Sequence, residues 1–332
     1  MASGLYSEKA MLVPRVFHFV FGLKEQTQPF SLLHYLTLRS CLQVNQPQAI
    51  RMHYRHEPWG PLWGRVRDQI ELCRIDRPLP LSDHSYPSGS ASAAFRYAHS
   101  SDFLRLDILL REGGVYADMD TLFVRPYPDE LFQHSFVMGR ETADPHVKYA
   151  HGGGSLCNAL FFAARGAEFA GLWRREMEAA FDGSWSRHST FLPYELSLRN
   201  PGLIHVEPTT SFFHLDWTRE GVRDLFERSV ELPTSVYSLH LWAHLWADRA
   251  RTDVTRFHEG RLTPAYVRYA DTTFARYARP WLPDDLEAEN AFAWITERLT
   301  QGCADVAAEW SEGLRTVARR TLGFAAGRRR AR

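Results

Sequence analysis

The segment SDFLRLDILLREGGVYADMDTLFVRP, residues 101–126, constrains the fold more than any other stretch. It predicts an amphipathic helix, a double-glycine turn at Gly113 and Gly114, a short apolar strand and two acids at the strand's end. Glycine takes positive φ without steric cost, so the pair permits a tight helix-to-strand turn. Asp118 and Asp120 flank Met119, and residues two apart on a strand point to the same side. The two carboxylates are therefore expected to converge just past Val115, Tyr116 and Ala117. Like charges that close repel unless a cation sits between them. Oxygen ligands suit hard divalent cations, so Mg²⁺ or Mn²⁺ carrying a diphosphate is the simplest occupant.

The chain has 332 residues, enough for one large α/β domain or two small ones. Its 45% apolar and 23% charged content is ordinary for a globular protein. A formal net charge of +0 points to no nucleic-acid partner. Lys9, Lys24 and Lys148 are the only lysines, a bias read mainly as genome composition, with phosphate recognition by arginine as the sharper reading. Cys41, Cys73, Cys157 and Cys303 are scattered and form no Cys-x-x-Cys pair, so a zinc site is not expected. Free buried thiols are expected. The N-terminus shows neither a signal peptide nor a bilayer-spanning stretch, so a bacterial-type cytoplasmic protein or a clipped chain is expected.

Strand and helix signals alternate along the first half. Val13 to Phe21 reads as a buried strand between Pro14 and Gly22, Pro29 to Val44 as a helix, Ala49 to Tyr54 as a strand, and Ala91 to Arg111 as a helix. Alternation favours an α/β fold with a mainly parallel central sheet, whose ligands sit outside the carboxyl ends of the strands. Further on, His151 to Ser155 reads as a flexible turn, Ala159 to Ala163 as an apolar run and Glu168 to Phe181 as a helix. Three parts are expected: a tail over 1–12, a domain over 13–285, and a helical C-terminal extension over 286–332. The chain closes on Arg328, Arg329, Arg330 and Arg332, a solvated tail or a peripheral contact with an anionic inner-membrane surface.

A D-x-D tripeptide alone is common. Asp102 and Arg105 lie three apart on the preceding helix, so they share a face. They read either as a weak surface ion pair or as neighbours of the two carboxylates.

At these residues the chain resembles the DXD-containing sugar transferases, a group that includes fungal α-1,6-mannosyltransferases, α-1,4-galactosyltransferases and bacterial capsule or lipooligosaccharide enzymes. The large glucosylating toxins are more distant. Pro14-Arg15-Val16-Phe17-His18 resembles the family's opening strand, and SDFLR followed by GGVYADMD resembles its core. Asn158 resembles the asparagine after the core, and His240-Leu241-Trp242 closed by Trp246 resembles its late element.

The resemblance implies a GT-A-type nucleotide-sugar-binding domain and a retaining glycosyltransferase. Its donor would be a UDP- or GDP-sugar and its acceptor a glycan or glycolipid. Phe17, His18, Phe19 and Val20 would line the nucleotide pocket with Asn158 and Trp246. Asp102 and Arg105 would hold the donor sugar, Asp118 would face ribose and sugar, and Asp118, Asp120 and His240 would hold the divalent metal. Leu245 stands where the family often has serine, and His244 beside it would point elsewhere on a strand.

Two rivals remain. The same letters, D-M-D-T, fit a phosphatase in which Asp118 attacks phosphate and Asp120 is the acid/base. That chemistry needs a later lysine and a later acidic pair, for which Lys148 and Asp284-Asp285 are poorly placed. A non-catalytic carbohydrate-binding protein on the same fold is the other, since 13% aromatic content suits sugar stacking.

Overall fold

The computed structural model describes residues 11–82, 95–143 and 154–286. Several expectations fall outside them: residues 1–10 of the tail, the start of the helix at 91, Lys148, the turn at 151–153, Cys303 and the extension beyond residue 286.

Nine strands are described: β1 Val16–Val20, β2 Ala49–Tyr54, β3 Glu71–Arg74, β4 Gly114–Ala117, β5 Thr121–Phe123, β6 Phe136–Glu141, β7 Ser155–Ala163, β8 His205–Glu207 and β9 Ser238–His240. Seven of them form one sheet in the order β3-β2-β1-β4-β7-β6-β8. β1 pairs in parallel with β2 and β4, β2 with β3, and β6 with β8, while β7 runs antiparallel to both β4 and β6. The expected mainly parallel α/β sheet is present. β5 and β9 make a separate antiparallel ribbon.

The central strands β1, β4 and β7 are buried on both faces, as the inner strands of such a sheet are. Phe17, Phe19, Val115 and Ala117 pack with Leu33 and Leu36 of helix α1 (Leu32–Ser40). The alternate residues Val20 and Tyr116 face the opposite core. Phe103, Leu106 and Leu109 of a long helix meet them there. With α2 the short helix Pro61–Val66, that long helix is α3, Arg96–Glu112; α4, Glu168–Ala180, lies beside it.

The α3–β4 junction carries the expected positive φ, 71° at Gly113 and 116° at Gly114. The acids differ from expectation in one respect. β4 stops at Ala117, and Asp118, Met119 and Asp120 form a turn into β5 rather than the end of a strand. The Thr121 amide closes that turn on the Asp118 carbonyl at 3.1 Å. The Thr37 hydroxyl of α1 donates to the Met119 carbonyl at 2.9 Å. Cys41 and Cys157 are buried free thiols, as expected, whereas Cys73 is free but only half-buried.

Candidate active site

The Asp-Met-Asp turn opens onto a cleft of about 470 Å³ at the carboxyl end of β4. That size falls within the usual range of about 300–1,000 Å³ for small-molecule sites. Asp102, Arg105, Asp118, Asp120, Asn158 and His240 all line it.

Arg105 is the hub. Its side chain is 6% exposed and Asp102's is 11% exposed, so the pair is buried and not a surface ion pair. The guanidinium lies 3.2 Å from Asp102 Oδ1 and 3.3 Å from Asp118 Oδ1. It also donates to the Asn158 carbonyl at 2.8 Å and stacks 4.6 Å over the Tyr116 ring. Burial alone would push its pKa down, but Asp118, Tyr116 and Asp102 hold it above the ordinary arginine value. It is a fixed cation.

Asp102 is held from three sides. The Asn158 amide donates to Oδ1 at 2.7 Å, and His188 Nε2 donates to Oδ2 at 2.9 Å. Burial raises its pKa, yet Arg105, His188 and Asn158 outweigh burial and hold the carboxyl below its ordinary value. Asp118 is different. Burial and Asp120 push its pKa up, and Arg105 only partly opposes them. The Tyr116 hydroxyl donates to Asp118 Oδ1 at 2.6 Å.

Asp120 is fixed by a segment far along the chain. Its carbonyl accepts from the Leu241 amide at 2.8 Å, and its Oδ2 accepts from the Ala243 amide at 2.8 Å. β9 puts His240 opposite Thr121, with His240 Nδ1 3.4 Å from Asp120 Oδ1. Trp242 then takes a left-handed φ of 53° and breaks the strand, so Ala243–Trp246 is a helical turn whose first amide meets Asp120. A non-glycine residue there is strained. The Trp242 indole anchors it by donating to the Leu215 carbonyl at 2.9 Å.

Donor atoms of Asp118, Asp120 and His240 lie within 4.8 Å of one another. His240 is 5% exposed, and its Nδ1 has no hydrogen-bond partner among the described residues. A buried unpaired nitrogen beside two carboxylates fits a divalent cation, since unsatisfied buried polar atoms are otherwise costly.

Other expected residues are not brought here. Phe17 and Phe19 lie in the core under α1, and Val20 faces the opposite core. His18 is fully buried against His53 at 3.0 Å. The link from this strand to the cleft is Phe21, whose ring meets His34 at 4.5 Å, and His34 lines the cleft. Trp246 is also core: it packs on Phe226 at 4.7 Å, and its indole donates to the Leu241 carbonyl at 2.5 Å. His244 and Leu245 do line the cleft, because their segment is helical and not a strand.

The sequence reading passed over Glu141, His188 and Trp185. Glu141 lines the cleft and accepts from the Ser155 hydroxyl at 2.6 Å, with its pKa raised by burial. Trp185 is 42% exposed at the rim, 5.2 Å from the His244 ring. Neither Glu141 nor His188 sits in a sequence pattern with its partner. Among the described residues no helix is long and apolar enough to cross a membrane.

The chain is similar in sequence to known proteins. The chain is similar to Glucan organizing enzyme 1 of Cryptococcus neoformans var. grubii serotype A, with 28% identity over 288 residues, 84% of this chain and 74% of that protein. A shorter likeness, 37% over 71 residues, joins it to Subversion of eukaryotic traffic protein A of Legionella pneumophila subsp. pneumophila, covering 21% of this chain and 10% of that one. The solved mouse Xyloside xylosyltransferase 1, apo form, overlays with a TM-score of 0.45 at 15% identity, covering 69% of this chain and 97% of that one. Residues 75–137 match the glycosyltransferase sugar-binding region containing a DXD motif. Asp102, Arg105, Asp118 and Asp120 all fall inside that region, so the chain carries the sugar-binding region of DXD-containing glycosyltransferases.

Proposed function

We propose that the chain is a metal-dependent glycosyltransferase that moves a sugar from a UDP- or GDP-sugar to a glycan or glycolipid acceptor with retention of anomeric configuration. The observation that carries this reading is the convergence of Asp118, Asp120 and the unpaired His240 Nδ1 at the edge of a cleft that also holds the Arg105–Asp102–Asn158 network. Asp118, Asp120 and His240 would hold Mn²⁺ or Mg²⁺. A divalent ion there supplies Lewis-acid stabilisation of the negative charge on the departing nucleoside diphosphate.

The protein's own groups do the rest. Arg105 is a preorganised, buried cation, and a fixed charge held in a buried setting is worth more than in bulk. It also keeps Asp102 and Asp118 oriented. Asp102, ionised by its three partners, accepts hydrogen bonds from sugar hydroxyls through its remaining lone pairs. Glu141, whose pKa burial raises, presents its carboxyl group to the cleft for hydrogen bonding. Trp185 and Trp217 provide apolar faces for sugar rings. Asp102 and Asp118 are both engaged by Arg105, which lowers the nucleophilicity of either. Front-face departure and attack is therefore the proposed course. Attachment to an anionic membrane surface through Arg328, Arg329, Arg330 and Arg332 belongs to the proposal on sequence grounds alone.

The test is release of nucleoside diphosphate from a panel of UDP- and GDP-sugars with Mn²⁺. Release that stops with EDTA and returns with Mn²⁺ is expected. Inorganic phosphate freed from a phosphomonoester, with no nucleoside diphosphate from any donor, would install the phosphatase reading instead.

A further inference from the structure

The double glycine that launches β4 also seats a second cluster of donor atoms, at the opposite end of that strand from the Asp-Met-Asp turn. Gly114 and Asp118 are four residues apart, about 13 Å along an extended chain. His18 on β1, His53 on β2 and Glu112 at the end of α3 meet there, with donor atoms within 4.8 Å of one another. We propose that His18, His53 and Glu112 bind a zinc ion independently of the aspartate turn.

The geometry comes close to what zinc needs. His18 Nδ1 lies 3.0 Å from His53 Nε2 and 3.8 Å from Glu112 Oε2. A tetrahedral ion with bonds of about 2.0–2.1 Å sets its ligand atoms about 3.3 Å apart, so one pair opens and the other closes by only a few tenths of an ångström. The tautomer is also set. His18 Nε2–H donates to the Gly113 carbonyl at 2.9 Å, which leaves the Nδ1 lone pair aimed into the cluster. A ligating imidazole ordinarily ties its other nitrogen to a carbonyl or carboxylate in this way.

His53 donates from Nε2 to His18 in the ion-free protein; zinc displaces that hydrogen bond and the proton moves to Nδ1 of the same ring. Both rings are buried.

The donor set differs from that of the turn. Two imidazoles and one carboxylate suit zinc, whereas two carboxylates and one imidazole suit a harder ion. Three protein ligands leave a fourth position for water or for the half-buried Cys73 thiol, which stands on the same sheet face as its register partner His53. Arg51 holds Glu112 at 3.1 Å and Glu71 at 2.7 Å, so it keeps one carboxylate when zinc takes the other. The ion would pin β1, β2 and the end of α3 together.

The test uses the full chain carrying Asp118→Asn and Asp120→Asn, which disables the turn as a metal site. Zn²⁺ titration should give one ion per chain and a higher melting temperature, and Co²⁺ should give the visible absorption of a tetrahedral site. Adding His53→Gln, or separately Glu112→Gln, should weaken Zn²⁺ binding on the order of tenfold or more and bleach the Co²⁺ spectrum, with far-UV circular dichroism verifying the fold. Absence of any Zn²⁺-dependent rise in melting temperature in the parent double variant overturns the proposal, whatever the added substitutions do. Binding that survives both added substitutions unchanged overturns it as well.

Discussion

Replacing Gly114 by alanine tests the idea that the double glycine is a packing requirement and not merely a flexible turn. Gly114 sits at φ 116°, and a Cβ there would lie 2.4 Å from the Val16 carbonyl oxygen and 2.9 Å from the His18 ring. The backbone conformation alone costs an alanine about 1–3 kcal/mol. Overpacking a filled site adds about 1–3 kcal/mol. The sum is about 2–6 kcal/mol, and the upper half is expected because the Val16 carbonyl belongs to β1, a strand held in the sheet, and has little room to rotate aside. Gly166 supplies the control: its φ is 70°, yet nothing lies within 4 Å of its Cβ position. Gly166→Ala should cost only the conformational part, about 1–2 kcal/mol. Urea unfolding followed by far-UV circular dichroism, compared at matched m-values, measures both. If the two variants lose equal stability, the clash with β1 is not a constraint and the account of this junction fails.

Asp118→Asn and Asp120→Asn should each abolish nucleotide-sugar turnover while leaving the melting temperature without metal nearly unchanged, and Mn²⁺ should no longer raise it; a normal Mn²⁺ shift in Asp120→Asn would contradict the ligand assignment. Arg105→Met should destabilise the fold by about 3–5 kcal/mol, because it strands the buried carboxylates of Asp102 and Asp118 without their cation; denaturant melts measure this, and a loss under about 1 kcal/mol would show the network to be dispensable. Asp102 gives a signed pH dependence. Its native pKa is depressed below 3.8, so the native state binds fewer protons than the unfolded chain near that pH. The stabilisation is present above 3.8 and is lost as pH falls through the native value, so Asp102→Asn should flatten the acid limb of a stability-against-pH curve.

Much of this architecture is written in local pattern. The run VFHFV, the helical spacing before Gly113 and the apolar residues after Gly114 give β1, α3 and β4 within a few residues, because period and turn chemistry act over short range. The three-residue spacing of Asp102 and Arg105 places them on one helix face, but their burial depends on β7 and on His188, which no local pattern reveals. Glu141 is hidden for the same reason, since its partner Ser155 belongs to the neighbouring strand.

Where alternation was used on short pieces it misled. The two aspartates converge through a turn, not through the pleat. His244 reaches the cleft because Trp242 turns left-handed with no glycine or asparagine to announce it. The resemblance, and not alternation, put Phe17, Phe19 and Val20 at the nucleotide pocket; in the structure they face core on one side of the sheet or the other, because β1 is paired on both edges.

Asp120 takes its two backbone donors from the very segment that delivers His240. A proteolytic fragment ending before residue 238 would keep the whole D-x-D signature and still lack the imidazole, the clamp on the second carboxylate and the β-ribbon that aligns them. The signature is thus a half-site: its competence is decided more than a hundred residues later, when the chain returns and locks onto it.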